Sequence, residues 1–174
     1  MKEILRVENL KIHFENEMSQ VDAVEGINLS LLPGQIHGIV GESGCGKSVT
    51  GRAIIRILNV RGSIPEGKIL FKKGDKVIDL TKLSKHGEEM RKIRGNEIGM
   101  IFQEPMTAFS PVYTIGNQIM EAILLHQDKN KNQARKRAID ILNRVGLPDA
   151  SELVDEYPHQ LSGGMRQRAM IAMA

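Results

Sequence analysis

Cysteine is nearly absent from these 174 residues. With Cys45 alone, no intramolecular disulfide can form and a cysteine metal site has no ligands, which suits a reducing compartment. Long apolar runs are absent too. The longest stretches, such as IGMIF at 98–102, fall far short of the ~18 residues that a membrane span needs. The opening MKEILRVENL has no secretory apolar region. There are no internal repeats and no low-complexity segments. Nor is one sign of charge in large excess: the net charge is +3 and the pI about 9.0, a basic tilt that selects no nucleic-acid partner without a clustered patch. The basic run KNKNQARKR (129–137) has no interleaved aromatics and reads as a solvated helix face. With 41% hydrophobic and 26% charged residues, the composition is that of a soluble globular chain of single-domain length.

Alternation dominates the first third. Leu10, Ile12 and Phe14 form one alternating set, and Ile27, Leu29 and Leu31 another, closed by a Pro33-Gly34 turn. IHGIV (36–40) predicts a short apolar strand running into a glycine-rich loop. SVTGRAIIRILN, from Ser48, has helical spacing with Ile54, Ile55 and Leu58 on one side. GKILFKKGDKVIDL (67–80) predicts a hairpin turning at Gly74-Asp75, and IGMIFQE (98–104) a second buried strand. From Thr114 the pattern is helical: Ile115, Ile119 and Ile123 recur every four residues, and Ala134, Ala138, Ile141, Leu142 and Val145 continue until Gly146 and Pro148. The expected organisation is an α/β portion with antiparallel β structure at 1–104, a helical portion at 105–165 and a return toward the core at 166–174, with the junction near 103–111.

Between the expected strand and helix lies GESGCGKS, Gly41, Glu42, Ser43, Gly44, Cys45, Gly46, Lys47 and Ser48, followed by Val49. This is the G-x-x-x-x-G-K-[ST] pattern of a phosphate-binding loop. Glycines let the backbone curl until successive N–H groups face phosphate oxygens, and the helix N-terminus adds partial positive charge. Lys47 would reach the β- and γ-phosphates, and the Ser48 hydroxyl would ligate Mg²⁺. Cys45 invites a redox reading, but that position tolerates many small residues and a plain loop residue is the better one. His126 and His159 stand alone, without ligand spacing, and read as structural. Two further stretches narrow the class of P-loop protein. Gln103 follows the second apolar segment, and LSGGMRQR (161–168) opens a helix with a Ser-Gly-Gly turn that offers free N–H groups and a hydroxyl to an anion.

Phosphate loop, glutamine loop and LSGG signature, in this order and spacing, resemble the ATP-binding cassette ATPases. GESGCGKS, MIFQEPMTAFSPVYTIGNQI and YPHQLSGGMRQRAMIAMA are similar to the ATPase subunits of dipeptide and oligopeptide importers, a group overlapping the nickel importers. The resemblance implies a P-loop α/β cassette that binds ATP and Mg²⁺. It puts adenine on Phe14, γ-phosphate sensing through Mg²⁺ and water on Gln103, and contact of Ser162, Gly163 and Gly164 with ATP held by a second ATPase subunit. Head-to-tail pairing follows, since two half-sites need two chains, identical or homologous. Met165 stands where many cassettes carry glutamine, a departure common in the peptide-importer group. The implied partners are membrane permease subunits received near 103–111 and, indirectly, a substrate-binding protein, with no nucleic acid. The implied location is the cytoplasmic face of the membrane. In complete cassettes the helix after the signature leads to the Walker B aspartate, the catalytic glutamate and the switch histidine. No apolar strand ending in an acidic pair occurs in these residues: Asp155-Glu156 follows no such strand, and His159 lies too early to be the switch. An incomplete sheet and negligible ATP hydrolysis by this chain alone are therefore expected. A soluble cassette ATPase of nucleic-acid or ribosome function is the alternative, and a non-catalytic nucleotide-binding fragment is a third reading.

Overall fold

A computed structural model of the chain describes residues 2–16, 19–104 and 108–174. It comprises two compact units, Met1–Arg91 and Lys92–Ala174. The central part of the 103–111 junction lies outside the described residues.

The first unit is built on an antiparallel sheet of β1 (Leu5–Glu15), β2 (Gln20–Leu31), β3 (Gly62–Lys73) and β4 (Lys76–Asp79), in the order β2-β1-β3-β4. Leu5 and Val7 face the core, and so do Leu10 and Ile12. Such a change from odd to even positions would flip the strand over unless one residue were taken out of register. Asn9 is that residue: its φ is 44°, and the register shifts between Val7 and Leu10 against β2 and between Glu8 and Lys11 against β3. The bulge keeps four apolar side chains of one strand on one face. The hairpin turns where the sequence places it, with Lys73 paired to Lys76 across Gly74-Asp75 and Gly74 at φ 58°. Helix α1 (Lys47–Ile54) buries Ala53, with Ile55 and Leu58 buried just beyond it. A 3-10 turn at Leu80–Lys82 is capped by Asp79, whose carboxylate accepts from the Thr81 backbone N–H (3.1 Å) and hydroxyl (2.7 Å). The short helix α2 (Glu88–Ile93) stands at the boundary between the units.

Two expected strands are not formed. Residues 36–40 and 98–104 have apolar composition but no strand pairing, apart from a single bridge between Arg94 and Ile98. Ile36 is 98% and Val40 96% exposed. A run apolar on both faces suits an interior parallel strand, which exists only between neighbours that satisfy its N–H and C=O groups. Among the described residues no strand flanks either run.

The second unit packs α3 (Ile115–His126), α4 (Lys131–Arg144), α5 (Ala150–Leu153) and α6 (Gly163–Met173) around one core. Ile115, Ile119 and Ile123 are buried from α3, and Ala134, Ala138 and Leu142 from α4, as their spacing predicts. Thr114 caps α3, and Asn130 with Gln133 forms a reciprocal capping box on α4. Helix α4 ends at Gly146, whose φ of 76° lets Leu147 N–H reach back to the Leu142 carbonyl at 3.1 Å. Gln118 holds the chain before α3, accepting from Ser110 N–H (2.8 Å) and donating to the carbonyls of Ser110 and Tyr113 (3.0 Å each).

On the surface of this unit Arg135 makes a forked pair with Asp155, at 2.7 and 2.6 Å. The hydrogen bond from Arg135 holds the Asp155 carboxyl below its ordinary range, and the same bond raises the guanidinium. A depressed folded-state value means stabilisation that is complete at neutral pH and lost as the pH falls through that value. Both groups are exposed, so Asp155→Asn is expected to cost only about 0.2–1 kcal/mol at pH 7 and nothing in strong acid, read from urea midpoints at the two pH values.

Candidate functional site: a phosphate-loop cleft

The glycine-rich segment lies in the first unit, on a cleft of about 650 Å³ whose walls include Val24, Ile27 and Leu29 of β2, residues 37–40, and Gly46 and Lys47. Two left-handed glycines shape the loop: Gly44 at φ 84° and Gly46 at φ 88°, the latter forming the N-cap of α1. Gly46 runs close beside β2, where a Cβ would come 2.7 Å from the Ala23 carbonyl oxygen and 3.0 Å from Val24 Cγ2. Thr50 fixes Gly46 from inside the helix. Its backbone N–H (2.8 Å) and its buried hydroxyl (2.9 Å) both donate to the Gly46 carbonyl. Thr50 was not singled out by the sequence, although its place four residues after the final glycine of the loop is the signal for such a bond.

Lys47 folds back across the loop. Its Nζ donates to the carbonyls of Gly41 (2.8 Å) and Glu42 (2.6 Å) and contacts Cys45 Sγ at 3.3 Å. Among the described residues no carboxylate pairs with it. Helices α3, α4 and α6 each have a side-chain cap, whereas α1 has none, and the first-turn N–H groups of Lys47, Ser48 and Val49 have no acceptor within the described residues. Unclaimed N–H groups at a helix N-terminus, beside an ammonium group without a counter-ion, fit a bound anion. Glu42, Ser43, Gly44, Cys45 and Ser48 are exposed. No group of three or more His, Cys, Asp or Glu that could hold a metal occurs among the described residues.

Phe14, the expected adenine platform, is half-buried at the end of β1, paired with Val21 and Gly62. A Cβ on Gly62 would lie 2.9 Å from its ring, so the ring packs against the β3 backbone. Gln103 is exposed in the second unit. Ser162 is the N-cap of α6, accepting from Met165 N–H at 3.3 Å, while Gly163 and Gly164 are exposed with nothing within 4 Å of where a Cβ would stand. Of the two lone histidines, His159 stacks on Tyr157 with ring centroids 5.6 Å apart, and His126 lies beside Gly95. The structure thus gathers Gly41–Val49 into one site and Ser162–Gly164 into one exposed helix start, each within its own unit.

A glycine-curled loop that feeds a helix N-terminus and carries a lysine across its mouth defines a P-loop nucleotide-binding protein. The chain matches the ABC transporter family over residues 24–174, and it belongs to that family. It is 48% identical over 171 residues to the dipeptide transport ATP-binding protein DppD of Escherichia coli and 47% identical over 175 residues to DppD of Bacillus subtilis. These matches cover 98% and 100% of this chain and half of each relative, so the chain spans about half the length of the curated relatives it matches. Among solved structures it is similar to the ATP-binding cassette MJ0796 in a dimeric post-hydrolysis state bound to ADP and Pi. That likeness has a TM-score of 0.82 at 25% identity and covers 97% of this chain and 68% of that one. With cbiO1 of Clostridium perfringens, part of the transporter complex cbiONQ, the TM-score is 0.68 at 27% identity over 99% of this chain and 61% of that one. The fold is accordingly that of a P-loop cassette whose sheet is incomplete.

Proposed function

We propose that this chain is the nucleotide-binding part of an importer ATPase subunit, coupling ATP binding and hydrolysis to the uptake of dipeptides or oligopeptides. The observation that carries the reading is Lys47 lying over a loop whose helix N-terminus is left without a cap, in a chain nearly half identical to dipeptide transport ATP-binding proteins. In this reading the backbone N–H groups from Gly44 to Val49 and the Lys47 ammonium hold the β- and γ-phosphates, Phe14 supports the adenine, and Ser48 and Gln103 serve Mg²⁺. Mg²⁺ keeps most of its ligands from water and phosphate, which suits a site with a single hydroxyl. Lys47 and Gln103 are the residues of this chain that would act on the γ-phosphate. Ser162, Gly163 and Gly164 meet the ATP of a second ATPase subunit, and membrane permease subunits dock at the cytoplasmic face, receiving substrate from a binding protein. The reading includes slow ATP turnover by these 174 residues alone, in whose sequence no apolar strand ending in an acidic pair occurs.

Calorimetric titration with Mg-ATP tests the nucleotide reading. Saturable binding is expected. Lys47→Ala should weaken it by about 10- to 100-fold, the worth of a lost charge-assisted hydrogen bond to phosphate. A chain folded by circular dichroism that takes up no Mg-ATP would overturn the reading.

A further inference from the structure

The two glycines of the signature turn are not held by packing, although Leu161 before them is buried. Neither Gly163 nor Gly164 has a neighbour within 4 Å of where its Cβ would be. The buried residues of α6 are Ala169, Met170 and Ala172, with Met165 and Met173 half-buried against the same core, so its packing runs through flexible methionines and two alanines that offer little to interlock with a neighbouring helix. Methionine packing adapts to small rotations more readily than packing of branched side chains, and when the helix turns its N-terminus moves with it.

One directional contact opposes that motion. Arg168 Nη1 donates to the Gly146 carbonyl at 2.7 Å, and no other side chain of α6 hydrogen-bonds to another helix or its cap among the described residues. Gly146 is the left-handed residue that ends α4, so its carbonyl direction is set by the cap, and the guanidinium sits at the negative end of that helix dipole. Arg168 lies six residues after Ser162, about 9 Å along the helix. A fixed point at that distance from a core-facing stripe restrains rotation of the whole first turn.

We propose that Arg168 is a positioning residue that latches α6 to the end of α4 and thereby aims the Ser162–Gly164 turn. The proposal rests on the reading that this turn contacts nucleotide in a second subunit only for its functional consequence. The restraint itself exists without nucleotide. Contacts displaced by about 1 Å can cost up to about 100-fold in a positioned interaction, so a restrained turn matters to an interface that depends on it.

Amide hydrogen exchange on the nucleotide-free chain tests the latch. Arg168→Ala is expected to speed exchange about tenfold at Met165 and Arg166, whose N–H groups bond to Ser162 Oγ and the Ser162 carbonyl, while α3 and the β1–β3 pairing keep their rates. Arg168→Lys, which retains a cationic donor, should recover most of the protection. Unchanged rates at 165–166, or equal acceleration throughout α3 to α6, would overturn the proposal, since the second pattern is simple loss of stability. Mg-ATP-dependent self-association, measured by sedimentation, then separates the two ideas. Arg168→Ala should weaken it about tenfold with P-loop affinity unchanged, and adding Ser162→Ala should weaken it no further than Ser162→Ala alone. If the parent chain never associates while the exchange result holds, the sandwich reading fails and the latch stands; additive losses would overturn the latch as the route to Ser162.

Discussion

Gly46→Ala is expected to abolish Mg-ATP binding within the range of calorimetry, whereas Gly44→Ala weakens it only modestly. Both glycines have left-handed backbone, at φ 88° and 84°, so both substitutions pay the steric cost of a Cβ there, about 1–2 kcal/mol. Their surroundings differ. Around Gly44 nothing lies within 4 Å of the new carbon, and the loss should be about 5- to 30-fold. At Gly46 the new carbon would stand 2.7 Å from the Ala23 carbonyl oxygen and 3.0 Å from Val24 Cγ2. The β2 backbone cannot yield as a flexible side chain would, and the Thr50 bonds to the Gly46 carbonyl keep the residue from moving away. Overpacking of this kind adds about 1–3 kcal/mol, bringing the total to about 2–5 kcal/mol and the loss in affinity to between tens and several thousand-fold. Equal losses in the two variants would mean that backbone conformation alone, and not contact with β2, shapes the loop.

That contrast marks where the sequence stops being informative. GESGCGKS declares the phosphate loop by spacing, and the helical repeat from Thr114 and the Ser-Gly-Gly turn declare two helix starts, which the structure shows capped by Thr114 and Ser162. The early β segments were legible because an antiparallel sheet covered on one face alternates, and the 67–80 hairpin because Gly74-Asp75 is turn chemistry. Residues 36–40 and 98–104 misled for a physical reason. Their composition records a preference for burial on both faces, while a strand is a relation between two segments, and the second segment is not among those described. Asn9, Gly67 and Arg168 were invisible for the same reason: a bulge, a close backbone approach and a helix-to-helix hydrogen bond each depend on what lies across from the residue. The one-residue drift in the burial pattern of β1 has a trace in the sequence, Val7 followed by Leu10 in place of strict alternation, but that trace does not say which residue bulges or what lies opposite it.

Gly67 is where that bulge meets its neighbour, and its replacement should be the most damaging change in the first unit. The register carries Glu8 to Lys68 and Lys11 to Glu66, leaving Gly67 against the extra residue of β1. Its φ is 102°, and a Cβ would lie 2.5 Å from the Asn9 carbonyl oxygen, 2.6 Å from Leu10 Cα and 2.8 Å from the Asn9 carbonyl carbon. All three are backbone atoms, so the strands themselves would have to separate. Separation would break the bond from Asn9 Nδ2 to Glu66 (2.5 Å) and the Lys11–Glu66 ion pair (2.5 Å), and would lift Leu10 and Ile12 from the core they close. Unfavourable backbone and overpacking together give about 3–5 kcal/mol, a large share of the 5–15 kcal/mol that holds a typical domain together. With a urea dependence of about 2 kcal/mol per molar, Gly67→Ala should lower the midpoint of the β-sheet signal by about 2 M. Gly74→Ala is the control, since Gly74 also has positive φ, at 58°, but nothing within 4 Å of a new Cβ, and it should shift the midpoint by only about 0.5–1 M. If the two variants unfold together, the close approach at the bulge is not what fixes the register of β1 against β3, and the alternation of β1 and β3 must do so unaided.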